Sequence, residues 1–302
     1  MKIVSFGPAR AEQPGVLVDD DTIVPLVPLL YDAGYPALST NAILAQLSDL
    51  QPEIASRLAD APVTVAAAEV RLGPPVSKPP KIIVLGGNYR AVLEQTSGRT
   101  NAPMPSDPLL ILKPSNTVIG PRDPLIRPAQ SEQLDYEIEI VVVIGRGGYR
   151  IPRERAYEHV AGYMIGNDVT ARDILAKDIA LNPMFAQITR AKAMRTGAPT
   201  GPWLVTTDEI PDPHELELRC WINGELRQDG SSQDMILDIP AIVEDFSSIL
   251  ELEAGDIIFT GTTTGSGAFQ NPPAYLFEGD LVRMEITGLG VMETPILDEK
   301  LS

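Results

Sequence analysis

Residues 134–145 read LDYEIEIVVVIG, and the fold turns on how this stretch is understood. Its second half, Val141 to Ile144, is apolar at consecutive positions, which predicts a strand covered on both faces. Its first half alternates instead: single residues separate Asp135, Glu137 and Glu139, and strand geometry sets alternate side chains on one face. Neighbouring carboxylates entering a core are costly unless a cation or hydrogen bonds offset their repulsion. A solvated strand face is the plainer reading. The apolar run behind the acids heads into the core, however, and that favours a divalent metal.

Working outward, a third carboxylate, Asp168, lies in GYMIGNDVTARD (162–173), where the plainer reading is a cap for a helix starting near Thr170. Three hard oxygen ligands suit Mg²⁺ or Mn²⁺ better than Zn²⁺, which would call for His or Cys donors. The chain has 2 His and 1 Cys. Further β-branched runs, IIVLG, LLILK, ELRCWING, DIIFTGT and DLVRMEI, are separated by Pro and Gly clusters rather than by long amphipathic helices. This predicts an α+β, β-dominated fold and disfavours a doubly wound parallel sheet. Helical stretches are expected around Pro152–Gly162 and Ile239–Leu250.

Residues 1–75 read as a small N-terminal α+β domain. It has strands at Lys2–Phe6, Gly15–Val18 and Thr22–Leu26, and a helix capped by Asn41 that carries Ile43, Leu44, Leu47 and Leu50 towards Leu58. GPPVSKPP (73–80) is a semi-rigid connector, and 81–302 forms the second domain. Among the 302 residues, 24 Lys+Arg against 41 Asp+Glu give a net charge of −17, which argues against nucleic-acid and membrane partners. The lone Cys220 fits a reducing compartment, and no window approaches the roughly 20 apolar residues that span a bilayer. A cytoplasmic protein is expected.

Seven segments in fixed order then carry a resemblance: NYR (88–90), LKPSNTVIG (112–120), LDYEIEIVVVIG, GYMIGNDVTARD, GPWLVTTDEI (201–210), NGELRQDGSSQDMI (223–236) and GDIIFTGTTTGSG (255–267). From about Lys81 onward the chain resembles the fumarylacetoacetate hydrolase family. The resemblance implies a mixed β-sandwich or β-roll core, a homodimer, and one Mg²⁺ or Mn²⁺ held by Glu137, Glu139 and Asp168. It implies a small-molecule carboxylate substrate, a 2-oxo or 1,3-diketo acid, whose C–C bond is cleaved by water; some members act instead as decarboxylases, isomerases or hydratases. It places Lys192 and Thr262 in catalysis, and Tyr89, Arg90, Lys113, Gln228 and Thr262 at the substrate. Thr262 opens a glycine-bearing loop that lacks the trailing Lys of a nucleotide phosphate loop.

The departure from the family lies after Asn88. Hydrolytic relatives carry a His four residues on and a Glu three further, where this chain has Val92 and Gln95. Neither can take a proton. Glu94 is the adjacent substitute, although one residue on a helix turns a side chain by about 100°. His159 and His214 read as surface or capping residues. Metal-assisted C–C hydrolysis is the first expectation; the second is decarboxylation, isomerisation or hydration, which stabilises an enolate without activating water; the third is a catalytically silent binding relative. The insert Thr96–Asp107 reads as a mobile lid.

Overall fold

The apolar run after Glu139 forms the strand Ile138–Ile144, buried at every position, inside a twelve-stranded sheet. This computed structural model describes residues 1–31, 34, 39–98 and 107–300. In chain order, the N-terminal segment supplies β1 (Lys2–Phe6), β2 (Gln13–Leu17), β3 (Thr22–Pro25) and α1 (Leu47–Arg57). The middle of the chain supplies β4 (Ile82–Gly86), α2 (Arg90–Ser97), β5 (Leu109–Lys113), β6 (Ile138–Ile144), β7 (Val160–Asn167), α3 (Arg172–Ala176), α4 (Ile188–Lys192) and β8 (Ala198–Thr206). The remainder adds β9 (Glu217–Ile222), β10 (Glu225–Ser231), α5 (Ile239–Ile249), β11 (Ile257–Thr262), β12 (Leu281–Ile286) and β13 (Gly290–Asp298). The large sheet runs β3-β2-β1-β8-β7-β6-β11-β4-β5, with short strands completing it. The β11–β4 pair is parallel and the other pairs along this path are antiparallel.

Alternation along β6 divides the core. Ile138, Ile140, Val142 and Ile144 join an apolar cluster with Leu218, Cys220 and Ile222 of β9, Val282, Met284 and Ile286 of β12, and Ile242 and Phe246 of α5. β9 and β12 belong to a second, five-stranded sheet, so two sheets pack face to face through this cluster. On the other face, Val141 and Val143 meet Met164 and Phe259 and also Ile3, Val16, Ile43 and Leu44 of the N-terminal segment. The strand-dominated α+β architecture expected from the sequence is the one observed.

Local differences have local causes. The cap before Ile43 is Ser39, whose side chain accepts from Ala42 N, while Asn41 donates its side-chain N–H to Lys78 O. The stretch expected as a helix at Pro152–Gly162 is 3-10 from Arg153 to His159 and already strand from Val160. The fully buried strand that follows, paired on both edges, outweighs helix extension there. α5 forms as expected, with Asp238 accepting from Ala241 N and His214 Nε2 accepting from Ile239 N. His159 corrects the surface reading: it is 8% exposed and its Nδ1 lies 2.8 Å from Arg146 O.

Candidate active site

Ladder register brings the acids together. Ile138 pairs with Asn167 across β6 and β7, so Glu137 and Asp168 flank the end of one ladder. Asn167 Oδ1 accepts from Glu137 N at 3.0 Å, and Asp168 N donates to Glu137 O at 3.0 Å, fixing both backbones. Glu139 stands beside a register shift against β11, where bulged geometry re-aims the chain. Gly261 sits in this irregularity with φ +95°, and a Cβ there would come within 2.8 Å of Asn88 Cβ. Its N–H donates to Glu139 Oε2 at 2.7 Å. One carboxylate oxygen each from Glu137, Glu139 and Asp168 then lie within 4.8 Å of one another.

Cations surround two of these acids. Lys192 Nζ donates to Glu137 Oε2 at 2.9 Å, to Thr170 Oγ1 at 2.8 Å and to Asp168 Oδ2. Arg172 donates to Glu137 Oε1 at 2.6 Å and to Asp135 Oδ2 at 2.8 Å. Burial by itself would raise Glu137; Arg172 and Lys192 outweigh it and hold that carboxyl well below its ordinary range. Burial pulls the Lys192 ammonium down, and Asp168 and Glu137 more than reverse this. Glu139 behaves oppositely: burial, with Asp168 and Glu137 beside it, pushes its carboxyl far up. The all-oxygen donor set and the repulsion stored at Glu139 fit a hard dication.

The acids open on a cavity of about 290 Å³. Lys192, Arg172 and Thr262 stand on its wall, as do Gly86 and Gly87, Val92, Leu93 and Thr96 of α2, and a largely apolar remainder. Thr262 donates its hydroxyl to Ile138 O at 2.8 Å and accepts from Gln228 Nε2 at 2.9 Å, so its hydrogen is already engaged.

Several expected site residues stand elsewhere. Asp135 does not join the acid trio: it lies on a separate short strand, Leu134–Asp135, paired with Thr170–Ala171, and its carboxylate accepts from Gly267 N, Ala268 N and Arg172. Nor does Asp168 cap a helix: α3 begins at Arg172 with Ala171 at the cap position. Lys113 lies behind Asp168, not on the cavity wall, donating to Asp168 Oδ1 at 2.6 Å, Gly197 O at 2.7 Å and Val169 O at 3.2 Å. Gln228 is fully buried behind Thr262, accepting from Ile138 N and donating to Thr262 and Thr263 O. Glu94, Tyr89 and Arg90 do not line the cavity, and Tyr89 is buried with its hydroxyl unpartnered. Of the expected lid, Thr96 borders the cavity, and residues 99–106 lie outside the described residues.

Arg172 was missed by sequence reasoning. Its signal is available in hindsight: an acid at the mouth of a buried strand needs a cation, and the pairing of Asp135 with Thr170 delivers the arginine two residues on.

Comparison with known proteins follows the same lines. Residues 81–297 match the model of the fumarylacetoacetate (FAA) hydrolase C-terminal domain. The mitochondrial oxaloacetate tautomerase fahd2 of Xenopus laevis is 35% identical over 301 residues, covering 98% of this chain and 90% of that protein. The oxaloacetate tautomerase YisK of Bacillus subtilis is 42% identical over 233 residues, covering 76% of this chain and 74% of that one. The crystal structure of maleylpyruvate hydrolase from Sphingobium sp. SYK-6, in complex with manganese(II) and pyruvate, superposes with a TM-score of 0.80 at 27% identity, covering 99% of this chain and 100% of that one.

Proposed function

Because the chain belongs to the fumarylacetoacetate hydrolase family, we propose that it is a divalent-metal-dependent enzyme that interconverts the keto and enol forms of a small 2-oxo acid. One observation carries the choice of reaction. The face of α2 on the cavity is Val92, Leu93 and Thr96, with no carboxylate or imidazole among them. Hydrolysis, the first expectation from sequence, needs a base to deprotonate water at that place. Enolisation demands less, since stabilising the enolate is most of the task.

A dication held by Glu137, Glu139 and Asp168 would supply an electrophile for the substrate's keto and carboxylate oxygens. Lys192 and Arg172 hold Glu137 charged and fixed in orientation from the cavity wall. Lys113 does the same for Asp168 from behind, with each of its hydrogens engaged. The proton leaving the carbon beside the keto group passes to water in the cavity and returns from water to the same carbon or to the enol oxygen. Mg²⁺ or Mn²⁺ as the ion, a homodimer and a cytoplasmic location belong to the same reading. Supporting it are the hard donor set, the buried free Cys220 and the absence, among the described residues, of a helix long and apolar enough to cross a membrane.

Proton NMR in D₂O with Mg²⁺ tests the reaction by following loss of the C3 hydrogen from oxaloacetate and from an acylpyruvate, with pyruvate release monitored alongside. Exchange is expected to outrun cleavage by at least about 100-fold, the usual contribution of a positioned base. Cleavage products carrying solvent oxygen at a rate matching exchange would establish hydrolysis instead.

A further inference from the structure

The cavity has two unlike ends. Glu137, Glu139, Asp168, Lys192 and Arg172 occupy one; the wall beyond them includes Leu109, Ile111, Leu175, Ile179, Ile188 and Phe269. At about 30 Å³ for a water-sized group, 290 Å³ holds on the order of ten non-hydrogen atoms. A pyruvate-sized head takes rather more than half of that. The space left is that of a chain of about four atoms, and it faces leucine and isoleucine side chains.

Charge points the same way. Lys192 and Arg172 are the cations lining the cavity among the described residues, and both are spent on Glu137 and its neighbours. With all four ionised, as a bound dication would leave them, the carboxylates Asp135, Glu137, Glu139 and Asp168 stand against three cations, Lys113, Arg172 and Lys192, a sum of one negative charge. A dication turns this to one positive charge, which a single carboxylate head neutralises. A second carboxylate on the substrate would overshoot and, among the described residues, meet an apolar wall with no free cation, a costly placement. An alkyl chain gains by burial there.

Resting on the proposed function, we infer that the site selects 2-oxo acids whose far substituent is a short uncharged chain, in preference to dicarboxylates such as oxaloacetate. Leu109, Leu175, Ile179, Ile188 and Phe269 make that selection. Ile179, Leu109 and Phe269 are 39%, 47% and 39% exposed, so they form the mouth of the chamber, while Ile111, at 6%, lies deeper.

Calorimetry on the full chain loaded with Mn²⁺ tests this with two unreactive ligands of equal size, N-butyloxamate and N-oxalylglycine, after oxalate alone. N-butyloxamate is expected to bind at least about tenfold tighter than N-oxalylglycine. Ile179→Arg places a cation at the mouth and should move the ratio towards N-oxalylglycine, with its thermal unfolding midpoint showing that it folds. If oxalate binds and N-oxalylglycine equals or exceeds N-butyloxamate, the chamber does not select as inferred, while the proposed function stands. If oxalate itself fails to bind, the proposed function and this inference fall together.

Discussion

Glu139 has no cationic partner among the described residues, whereas Glu137 and Asp168 both do. Its carboxyl is raised above an ordinary 4.5 by burial and by Asp168 and Glu137, so the folded site without an ion holds a proton that the unfolded chain would release. Stability from this group is therefore present at low pH and is lost as pH rises from 4.5 through the raised value. A dication removes the penalty by expelling the proton. Mn²⁺ uptake above pH 4.5 is thus expected to release protons, seen as a dependence of calorimetric heat on buffer ionisation enthalpy, and Glu139→Gln should abolish that dependence. Equal buffer dependence in both proteins would show that another group carries the proton. Alternation along a strand puts Glu137 and Glu139 on one face, but it puts Asp135 there too, which the structure turns to Arg172, Gly267 and Ala268; Asp168, on another segment, is joined to them by the family resemblance. What Lys113 and Gln228 touch was not legible in the sequence, since their partners, Asp168 and Ile138, lie 55 and 90 residues away and only the fold sets that approach.

At the scale of elements, the proposed reaction rests on α2. Val92, Leu93 and Thr96 fall on its cavity side, and Glu94 does not, because a helix turns each successive side chain by about 100°. The sequence still offers Glu94 as a substitute base, against the helical period, and only the structure takes it off the cavity wall. Nor does the sequence show that the opposite wall is apolar: Leu175 and Ile179 lie in and just after α3, Ile188 opens α4, and Leu109 opens β5, and no shared period links them. Restoring an acid–base pair on α2 should change the reaction. Val92 already borders the cavity, and Gln95, one turn on, has its side chain towards Phe269 O, itself beside the cavity. The double variant Val92→His, Gln95→Glu is expected to raise acylpyruvate cleavage by about 100-fold or more, read as pyruvate released, with a fall below about pH 6.5 as the imidazole protonates. No gain in cleavage would mean that the limitation lies in substrate placement rather than in the missing base.

Across the whole molecule, one sheet ties the N-terminal segment to the site. β1 pairs with β8 through Lys2–Val205 and Ile3–Leu204, contacts some 200 residues apart in sequence, which no local pattern announces. The break in composition at 73–80 is plain in the sequence, whereas this shared edge is not. The apolar cluster on one face of β6 is likewise mixed, with Ile3, Val16, Leu30, Ile43 and Leu44 from the first segment against Val141, Val143, Met164 and Phe259 from the rest. Those last four lie on the strands that carry or flank Glu139. Removing residues 1–75 would uncover them together with the edge of β8, and the edge strand would present unpaired backbone groups as a template for association. The full chain is therefore expected to unfold in one calorimetric transition, and a chain beginning at Lys81 to be aggregated or to lose Mn²⁺ binding. Two separate transitions, or a soluble truncated chain that keeps full Mn²⁺ affinity, would show that the acids are held by the C-terminal region alone. A single transition is expected because Val141 and Val143 follow Glu139 on the same strand and face, so loosening their packing loosens the proposed ligand.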